Sequence, residues 1–328
     1  MRTAKEKFIV AVAGTRFGPL TIEREVLAPL KCEVVEGPGA GDPSLIELCR
    51  EADAVISGSI PHFTEAAING FQRCRIIARG GGGVDNIDVE AAKRRGIAVT
   101  NVPDYCIEEV SDHAMAFILS FARKLEEGVA EVRRGGWGGG GGGGAPLRPI
   151  APLMGAALGI VGIGRIGAAL GRKARAFGMR LLAHDPYAPD AVFQKLRAEK
   201  VTLDHLLRQA DYISLHAPLL PGTRGVIGRE ALAKMKPEAV LVNVARGELV
   251  DEGALAEALR EKRIRGAGLD VLAEEPPRTG HPLVALPNCY VTPHSAWYST
   301  AAQDELRRKA ALEVVRCLKG RALKYRVG

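Results

Sequence analysis

Short apolar runs alternate with segments of helical periodicity along the first hundred residues of the chain. The segments Ser44–Arg50 and Val89–Arg95 have the spacing of amphipathic helices. Strands that alternate with helices in this way are typical of an α/β fold, in which a parallel sheet is covered on both faces. The apolar runs predict strands at Phe8–Ala13, Cys32–Val35, Ala54–Ser57, Arg75–Ala78 and Ala98–Thr100.

A second series of strands and helices follows a long helical pattern at Ile107–Leu125, which is long enough to connect two lobes. The last segment, Thr300–Lys319, is also helical in its periodicity and could cross back to the first lobe. We therefore predict one discontinuous domain, residues 1–104 with 299–328, and a second domain of residues 105–298. The second series predicts strands at Leu158–Val161, Leu181–Ala183, Tyr212–Leu215, Val240–Val242, Gly268–Asp270 and Cys289–Thr292.

The run Gly135–Gly144 is glycine throughout except for Trp137. Such a run has almost no side chains to pack, so it predicts a flexible linker. A second interpretation is that these glycines, and those at Gly80–Gly83, stand in for side chains that could not be assigned. The intact mass distinguishes the two, since the sequence as written corresponds to 34.9 kDa.

The composition is that of a soluble globular protein of about two domains, with 328 residues, 47% hydrophobic and 25% charged. It excludes disordered, collagen-like and coiled-coil chains. The apolar stretches Ala114–Ala122 and Pro152–Gly164 are too short or too rich in glycine to cross a membrane. We interpret the N-terminus as a first strand, and the six scattered cysteines as reduced, which predicts a cytoplasmic protein.

The formal net charge of +7 arises from basic residues that are spread in short groups. No aromatic residues interleave with them, and no zinc-finger or RNA-binding signature is present, so nucleic acid is not an expected partner. The histidines and cysteines show no metal-ligand spacing, so no metal site is predicted. A basic surface is compatible with the attraction of small anions.

The clearest motif is Gly162-x-Gly164-x-x-Gly167, which follows an apolar strand and opens a helical pattern at Ile166–Phe177. A second strand follows and ends in Asp185, which completes the context of a dinucleotide-binding site. In such a site the first glycine allows a tight turn, the second lets the pyrophosphate approach the backbone, and the third lets the helix pack on the sheet. The N–H groups at the start of the helix stabilise the phosphates.

Asp185 would accept hydrogen bonds from both ribose hydroxyls. Its carboxylate would repel a 2′-phosphate by about 1 kcal/mol in water at ~4 Å, and by more when desolvated. The next residues are Pro186 and Tyr187, with no arginine to pair with such a phosphate, so the sequence favours NAD over NADP. The alternatives are a glycine turn in an unrelated α/β protein and a Rossmann protein that binds S-adenosylmethionine.

Several ordered stretches accompany the glycine motif. With it, they closely resemble the D-isomer-specific 2-hydroxyacid dehydrogenase family. The resemblance implies two Rossmann-like or flavodoxin-like lobes with parallel sheets, an active site in the cleft between them, and a homodimer built around the nucleotide lobe. Residues 1–104 with 299–328 would form the substrate-binding lobe and residues 105–298 the NAD-binding lobe. The stretches are Gly83–Asp88, Val102–His113, Val242–Asp251, Gly268–Pro277 and Val291–Ser299.

By motif, Arg246, Glu275 and His294 occupy the positions of the family's catalytic arginine, glutamate and histidine. The planar fork of Arg246 suits the carboxylate of a 2-keto acid. Protonated His294 can deliver a proton to the carbonyl oxygen as hydride arrives from NADH. Glu275 would accept a hydrogen bond from the other ring nitrogen, orient the ring and stabilise the protonated form of His294. Spacing alone does not separate Glu275 from Glu274, and the family register selects Glu275.

The resemblance also implies contacts with the cofactor and the substrate. Asp270 matches the family residue that bonds the carboxamide, and the loop Arg79–Gly83 matches the family's substrate loop, in which backbone N–H groups hold the carboxylate. Family members often have larger residues where this chain has Gly80 and Gly82. Cofactor contacts are expected at Gly82, Gly162, Gly164, Arg165, Ile166, Gly167, Asp185, Ala217, Val244, Ala245, Arg246, Asp270, His294, Ser295, Ala296 and Trp297. Substrate contacts are expected at Arg79, Gly81, Gly82, Arg246 and Trp297.

A tryptophan lies three residues after His294, at Trp297. In this feature the chain resembles the family branch that contains C-terminal-binding proteins and phosphoglycerate dehydrogenase-like members. It could form an apolar wall beside the substrate or pack in the core. The remaining histidines, His113 and His216 among them, are interpreted as structural or exposed. The expected function is an NAD-dependent dehydrogenase of a small 2-hydroxy acid, of unspecified identity and direction. The alternative is an NAD(H)-sensing, corepressor-like binding protein with little turnover.

Overall fold

The computed structural model describes residues 7–14, 17–39, 41–137 and 150–327. The chain divides into two compact units, one bounded by Met1–Cys106 and Tyr298–Gly328 and the other by Ile107–Trp297. Most of the glycine run predicted to be a linker lies outside the described residues. Among the helices described, none has the length and apolar character of a membrane span.

The first unit contains a six-stranded sheet. Its strands are β1 (Ile9–Ala13), β2 (Glu33–Gly37), β3 (Ala54–Ser57), β4 (Ile76–Arg79), β5 (Ala98–Thr100) and β13 (Arg326–Val327). The strand order is β13-β5-β4-β3-β1-β2, and only the pairing of β13 with β5 is antiparallel. The helices of this unit are α1 (Thr21–Leu27), α2 (Gly41–Cys49), α3 (Glu65–Asn69), α4 (Val89–Arg94) and α12 (Thr300–Leu318).

The second unit contains a seven-stranded, wholly parallel sheet. Its strands are β6 (Ala157–Val161), β7 (Arg180–His184), β8 (Glu199–Lys200), β9 (Tyr212–Leu215), β10 (Val240–Asn243), β11 (Gly266–Leu269) and β12 (Cys289–Val291). The order β12-β11-β10-β9-β6-β7-β8 reverses direction between β6 and β9, and ligands of open α/β sheets bind at such a switch point. The helices are α5 (Ile107–Arg123), α6 (Leu125–Arg133), α7 (Arg165–Ala176), α8 (Asp190–Leu196), α9 (Leu203–Gln209), α10 (Arg229–Lys234) and α11 (Glu252–Arg260).

The central strands of the second unit are covered on both faces, which explains their unbroken apolar sequences. Every residue of β9, β10 and β11 is buried. Leu158, Ile213 and Leu241 have no exposed surface, and each such side chain stabilises the fold by roughly 1.5–3 kcal/mol. The predicted α/β class, with two sheets of parallel strands, is confirmed.

Helix α5 lies directly on β11 because that strand contains two glycines. A Cβ at Gly268 would come within 2.6 Å of the Phe117 ring, and one at Gly266 within 2.4 Å of the Phe121 ring. The helix ends at Arg123, since Lys124 adopts a left-handed conformation with φ 50° and a new helix, α6, begins at Leu125. The prediction of one continuous helix over Ile107–Leu125 was therefore wrong at its C-terminal end.

Two strands had no sequence signal. Strands β8 and β13 contain two residues each, too few to show a period-two pattern. Each extends an edge that is already formed, β8 beside β7 and β13 beside β5. Their existence depends on the neighbouring strand and not on their own composition.

Candidate active site

The candidate residues of the second unit lie together at one edge of its sheet. The glycine turn follows β6, Asp185 follows β7 and Ala217 follows β9. Arg246, Asp270 and His294 follow β10, β11 and β12. Because these strands are parallel, their carboxyl ends share one edge, where ligands of this architecture bind.

The glycine turn has no room for side chains at two positions and open space at the third. Gly162 has φ +89°, and a Cβ there would lie 2.6 Å from the Ala217 nitrogen. A Cβ at Gly167 would lie 2.2 Å from the Gly162 carbonyl oxygen, so this glycine allows α7 to approach the turn. Nothing lies within 4 Å of a Cβ at Gly164, which is where a pyrophosphate would approach.

Helix α7 begins immediately after Gly164 without a side-chain cap, so its first N–H groups are available to an anion. Arg165 is exposed and Ile166 half-buried in this first turn. The turn and the start of α7 therefore fit the phosphates of a dinucleotide.

Asp185 is hydrogen-bonded to the same glycine turn. Its Oδ2 accepts a hydrogen bond from the N–H of Ile163 at 3.0 Å, inside the glycine motif. Its Oδ1 accepts bonds from the N–H groups of Tyr187 and Ala188 at 3.0 and 3.1 Å. The carboxylate is fixed by three backbone donors, and a carboxylate has further lone pairs that can accept ribose hydroxyls.

His294 and Glu275 form a close pair. The distance from His294 Nδ1 to Glu275 Oε2 is 2.6 Å, and Glu275 Oε1 accepts the N–H of Leu272 at 3.0 Å. Burial raises the pKa of the Glu275 carboxyl, but the hydrogen bond to His294 and the charges of His294 and Arg246 outweigh it, so the pKa is lowered. Glu275 is therefore a carboxylate at neutral pH. Because it pairs with Nδ1 of His294, the other ring nitrogen, Nε2, is the one available for proton transfer.

His294 has a left-handed backbone, with φ 50°. This conformation is uncommon for a non-glycine residue and is held by the surrounding structure. The His294 N–H donates to the carbonyl oxygen of Asp270 at 2.9 Å. Trp297 donates its indole N–H to the His294 carbonyl at 3.0 Å, so its ring closes the same turn.

Asp270 organises this turn with its side chain as well. The residue is only 2% exposed, and its Oδ1 and Oδ2 accept the N–H groups of Ser295 and Ala296, each at 2.9 Å. Thr292 donates its hydroxyl to Oδ1 at 2.6 Å. The resemblance gives Asp270 a bond to the carboxamide, and here its carboxylate also fixes the segment that carries His294.

Arg246 is positioned by Asn243 at the end of β10. Asn243 is 1% exposed, donates its amide to the Arg246 carbonyl at 2.8 Å and accepts the N–H of Ala245 at 3.1 Å. Arg246 donates from Nη1 to the Ala245 carbonyl at 2.7 Å. Val244 is buried and Ala245 half-buried in the same turn.

The candidate substrate residues of the first unit lie at the end of β4 and directly after it. Arg79 donates from Nη1 to the Gly80 carbonyl at 3.1 Å, and its guanidinium covers Gly81, which has φ +154°. The Gly82 carbonyl accepts the Asn101 amide at 2.6 Å. Arg79, Gly81 and Gly82 therefore form one compact turn.

Three residues near the site were missed from the sequence. Asn243 had a usable signal, because a polar residue that ends an apolar strand often anchors the next turn. Thr292 had none, and His113 was interpreted only as structural or exposed. His113 Nε2 lies 2.9 Å from the Thr292 hydroxyl, although 179 residues separate them. No three metal-ligating side chains gather within the described parts of the chain.

Comparison with known proteins identifies the family. Residues 115–296 match the model of the D-isomer specific 2-hydroxyacid dehydrogenase, NAD binding domain. The chain is 40% identical over 289 residues to D-3-phosphoglycerate dehydrogenase of Methanocaldococcus jannaschii, which covers 88% of this chain and 54% of that protein. It therefore spans about half the length of this relative.

Two further comparisons cover most of both proteins. Glyoxylate reductase of Korarchaeum cryptofilum is 38% identical over 277 residues, 84% of this chain and 82% of that protein. The crystal structure of the TT0316 protein from Thermus thermophilus superposes with a TM-score of 0.87 at 35% identity, over 98% of this chain and 100% of that chain. The chain belongs to the D-isomer specific 2-hydroxyacid dehydrogenase family.

Proposed function

We propose that the protein is an NAD-dependent dehydrogenase that interconverts a small 2-keto acid and its D-2-hydroxy acid. The observation that carries the proposal is the 2.6 Å pair of His294 and Glu275 on the sheet edge that also carries the glycine turn. The family membership and the NAD-binding domain match support the same activity.

In the reductive direction, NADH when bound supplies a hydride to the carbonyl carbon of the keto acid. Arg246 binds the substrate carboxylate through two parallel hydrogen bonds and polarises the adjacent carbonyl. His294 Nε2 donates a proton to the carbonyl oxygen as negative charge develops there. Glu275 accepts the Nδ1 proton in a hydrogen bond and stabilises the imidazolium before transfer. In the oxidative direction, the neutral imidazole removes the hydroxyl proton.

The substrate class is inferred from the side chains at the two turns that we expect to contact the substrate, the turn of Arg246 and the turn that contains Gly81 and Gly82. Arg246 suits the carboxylate common to all 2-keto acids, and the expected substrate residues Gly81 and Gly82 have no side chains, so that the Arg79 guanidinium is the bulk at this turn. We propose a short acid such as glyoxylate or hydroxypyruvate. Relatives named glyoxylate reductase support this, and a relative named phosphoglycerate dehydrogenase makes the phosphorylated keto acid the appropriate comparison.

The test is oxidation of NADH, followed at its absorbance, with glyoxylate, hydroxypyruvate, phosphohydroxypyruvate, pyruvate and larger keto acids. Arg246→Ala should lower kcat/KM by about 10²-fold or more, since it removes a bidentate, charge-assisted contact. Binding of NADH should change little. The matched control is Arg229→Ala, which removes an exposed arginine of the same unit that pairs with Glu257 at 2.6 Å.

Unchanged turnover in Arg246→Ala would remove this mechanism. Tight binding of NADH by the wild-type protein without turnover of any acid would instead favour the non-catalytic, NAD(H)-sensing alternative. Capture of a macromolecular partner that depends on NADH would then be the next measurement.

We also propose that the protein is a homodimer through α6. Helix α6 buries none of its residues in the described chain. Leu125, Val129 and Val132, at spacings of four and three residues, form an apolar stripe and are 52%, 47% and 53% exposed. A second copy of the same helix would cover this stripe with a matching apolar surface.

A further inference from the structure

A chain of side chains links helix α5 to the turn that carries His294. It begins at His113 on α5, passes through the Thr292 hydroxyl and ends at the Asp270 carboxylate. Asp270 in turn holds the N–H groups of Ser295 and Ala296, directly after His294. None of the chemistry proposed above uses His113 or Thr292.

The direction of each hydrogen bond in this chain follows from donor chemistry. A carboxylate can only accept, so the Thr292 hydroxyl proton points to Asp270 Oδ1 at 2.6 Å. The Thr292 oxygen is then left as an acceptor toward His113 Nε2 at 2.9 Å. His113 therefore carries a proton on Nε2 and is the outer donor of the chain.

The His113 ring has one defined orientation. It packs edge-on against Phe117 with ring centroids 4.9 Å apart, and Phe117 occupies the space beside Gly268 that a side chain would fill. The ring is 25% exposed, and its Nε2 also lies 3.7 Å from Asp270 Oδ1. Helix α5 thus presents a fixed N–H donor to the Thr292 hydroxyl, which donates in turn to the Asp270 carboxylate, a group only 2% exposed.

The site needs such a support because the His294 turn is strained. His294 has φ 50°, and proton transfer requires its Nε2 to be held at the substrate oxygen. Small displacements of a reacting group cost large factors in rate. Every donor that fixes the Asp270 carboxylate therefore also limits movement of His294.

We propose that His113 is a positioning residue for proton transfer, which acts through Thr292 and Asp270 on the turn that carries His294. This inference rests on the proposed dehydrogenase function. It predicts that loss of the His113 donor lowers kcat and leaves the binding of NADH and the KM for the keto acid nearly unchanged.

The experiment compares three variants of the full chain. His113→Leu removes the donor and keeps much of the volume, His113→Gln keeps an N–H at a similar distance, and Thr292→Val removes the connecting hydroxyl. The control is His205→Leu, which replaces an exposed histidine on α9.

We expect His113→Leu to lower kcat about three- to tenfold, the effect of one hydrogen bond, and His113→Gln to restore most of it. The double variant His113→Leu/Thr292→Val should be no slower than Thr292→Val alone, because both changes break the same chain.

A second readout does not depend on turnover. We expect the proton between His294 Nδ1 and Glu275 to give a far-downfield NMR signal, which its loss in His294→Asn would assign. We expect this signal to shift or broaden in His113→Leu and to return in His113→Gln. A wild-type protein without turnover would contradict the proposed function and leave this test intact.

Two results would overturn the positioning role. One is a His113→Leu variant with wild-type kcat and an unmoved NMR signal. The other is a His113→Gln variant as impaired as His113→Leu, which would show that lost packing on Phe117 and not the lost donor is the cause.

Discussion

Gly247 lies against the backbone of Leu272 so closely that a Cβ at Gly247 would come within 2.0 Å of the Leu272 carbonyl carbon. Gly247 follows Arg246, and the Leu272 N–H is held by Glu275. This contact therefore sets the spacing between the turn of the proposed substrate-binding arginine and the segment of the proposed catalytic glutamate.

Gly247→Ala should disrupt both segments. A methyl group cannot be accommodated without moving backbone, which costs about 1–3 kcal/mol for overpacking. We expect a lower midpoint of thermal unfolding and a fall in kcat/KM. Gly222→Ala is the control, since nothing lies within 4 Å of a Cβ at that position. Equal stability and turnover of the two variants would contradict the role of the contact.

Asp185→Asn should weaken the preference for NADH over NADPH. The change removes the negative charge at the expected ribose position and turns the amide N–H₂ toward a backbone N–H group that now donates a hydrogen bond to the carboxylate. We expect the ratio of NADPH to NADH affinity to rise by about fivefold or more, as estimated from a charge interaction of about 1 kcal/mol or more. Fluorescence titration with each dinucleotide measures this ratio.

The control for that experiment is Asp190→Asn, which removes an exposed carboxylate on α8 that pairs with Lys200 at 2.6 Å. It should leave the ratio unchanged. An unaltered ratio in Asp185→Asn would show that the Asp185 carboxylate stabilises the glycine turn and does not select between the two dinucleotides.

His216 should make the fold sensitive to mild acid. Burial lowers the pKa of this imidazole from 6.5 to about 4, and its Nε2 lies 2.8 Å from the hydroxyl of Ser214. The unfolded chain therefore binds the proton first as pH falls, so stability present above pH 6.5 is lost progressively toward pH 4. The loss is on the order of 1–3 kcal/mol.

Urea unfolding at about pH 7 and about pH 5, on either side of the ordinary histidine pKa, tests this effect. We expect His216→Gln, which keeps a polar partner for Ser214, to lose less stability between the two pH values than the wild type. His205→Gln is the control, because His205 is exposed. Equal losses in all three proteins would assign the acid sensitivity to other groups.

Helix α6 should control the oligomeric state. Leu125→Glu/Val132→Glu places two charges on the exposed stripe and should convert a dimer into a monomer of 34.9 kDa, measured by light scattering on a sizing column. Val284→Glu changes an apolar residue of similar exposure, 52%, away from α6 and should leave the dimer intact. A monomeric wild-type protein at micromolar concentration would contradict the proposal.

Much of the fold was predictable because buried parallel strands have continuous apolar sequences. Strands β3, β5 and β9 have the predicted bounds, Ala54–Ser57, Ala98–Thr100 and Tyr212–Leu215. The predicted glycine turn and the Arg246, Glu275 and His294 set come from ordered local motifs, and the structure brings Glu275 and His294 into contact. The left-handed Lys124 and the two-residue strands were not predictable, since their conformations depend on neighbours.

By itself, the sequence determined the α/β class, the positions of the longer strands and the candidate residues of the site, because each depends on short-range pattern. Only the tertiary structure decided that Asp270 holds the His294 turn, that Gly247 touches Leu272 and that His113 reaches Thr292. These contacts join elements far apart along the chain. Alignment of the parallel strands and the packing of α5 on β11 bring these partners together, and no local pattern encodes such a meeting.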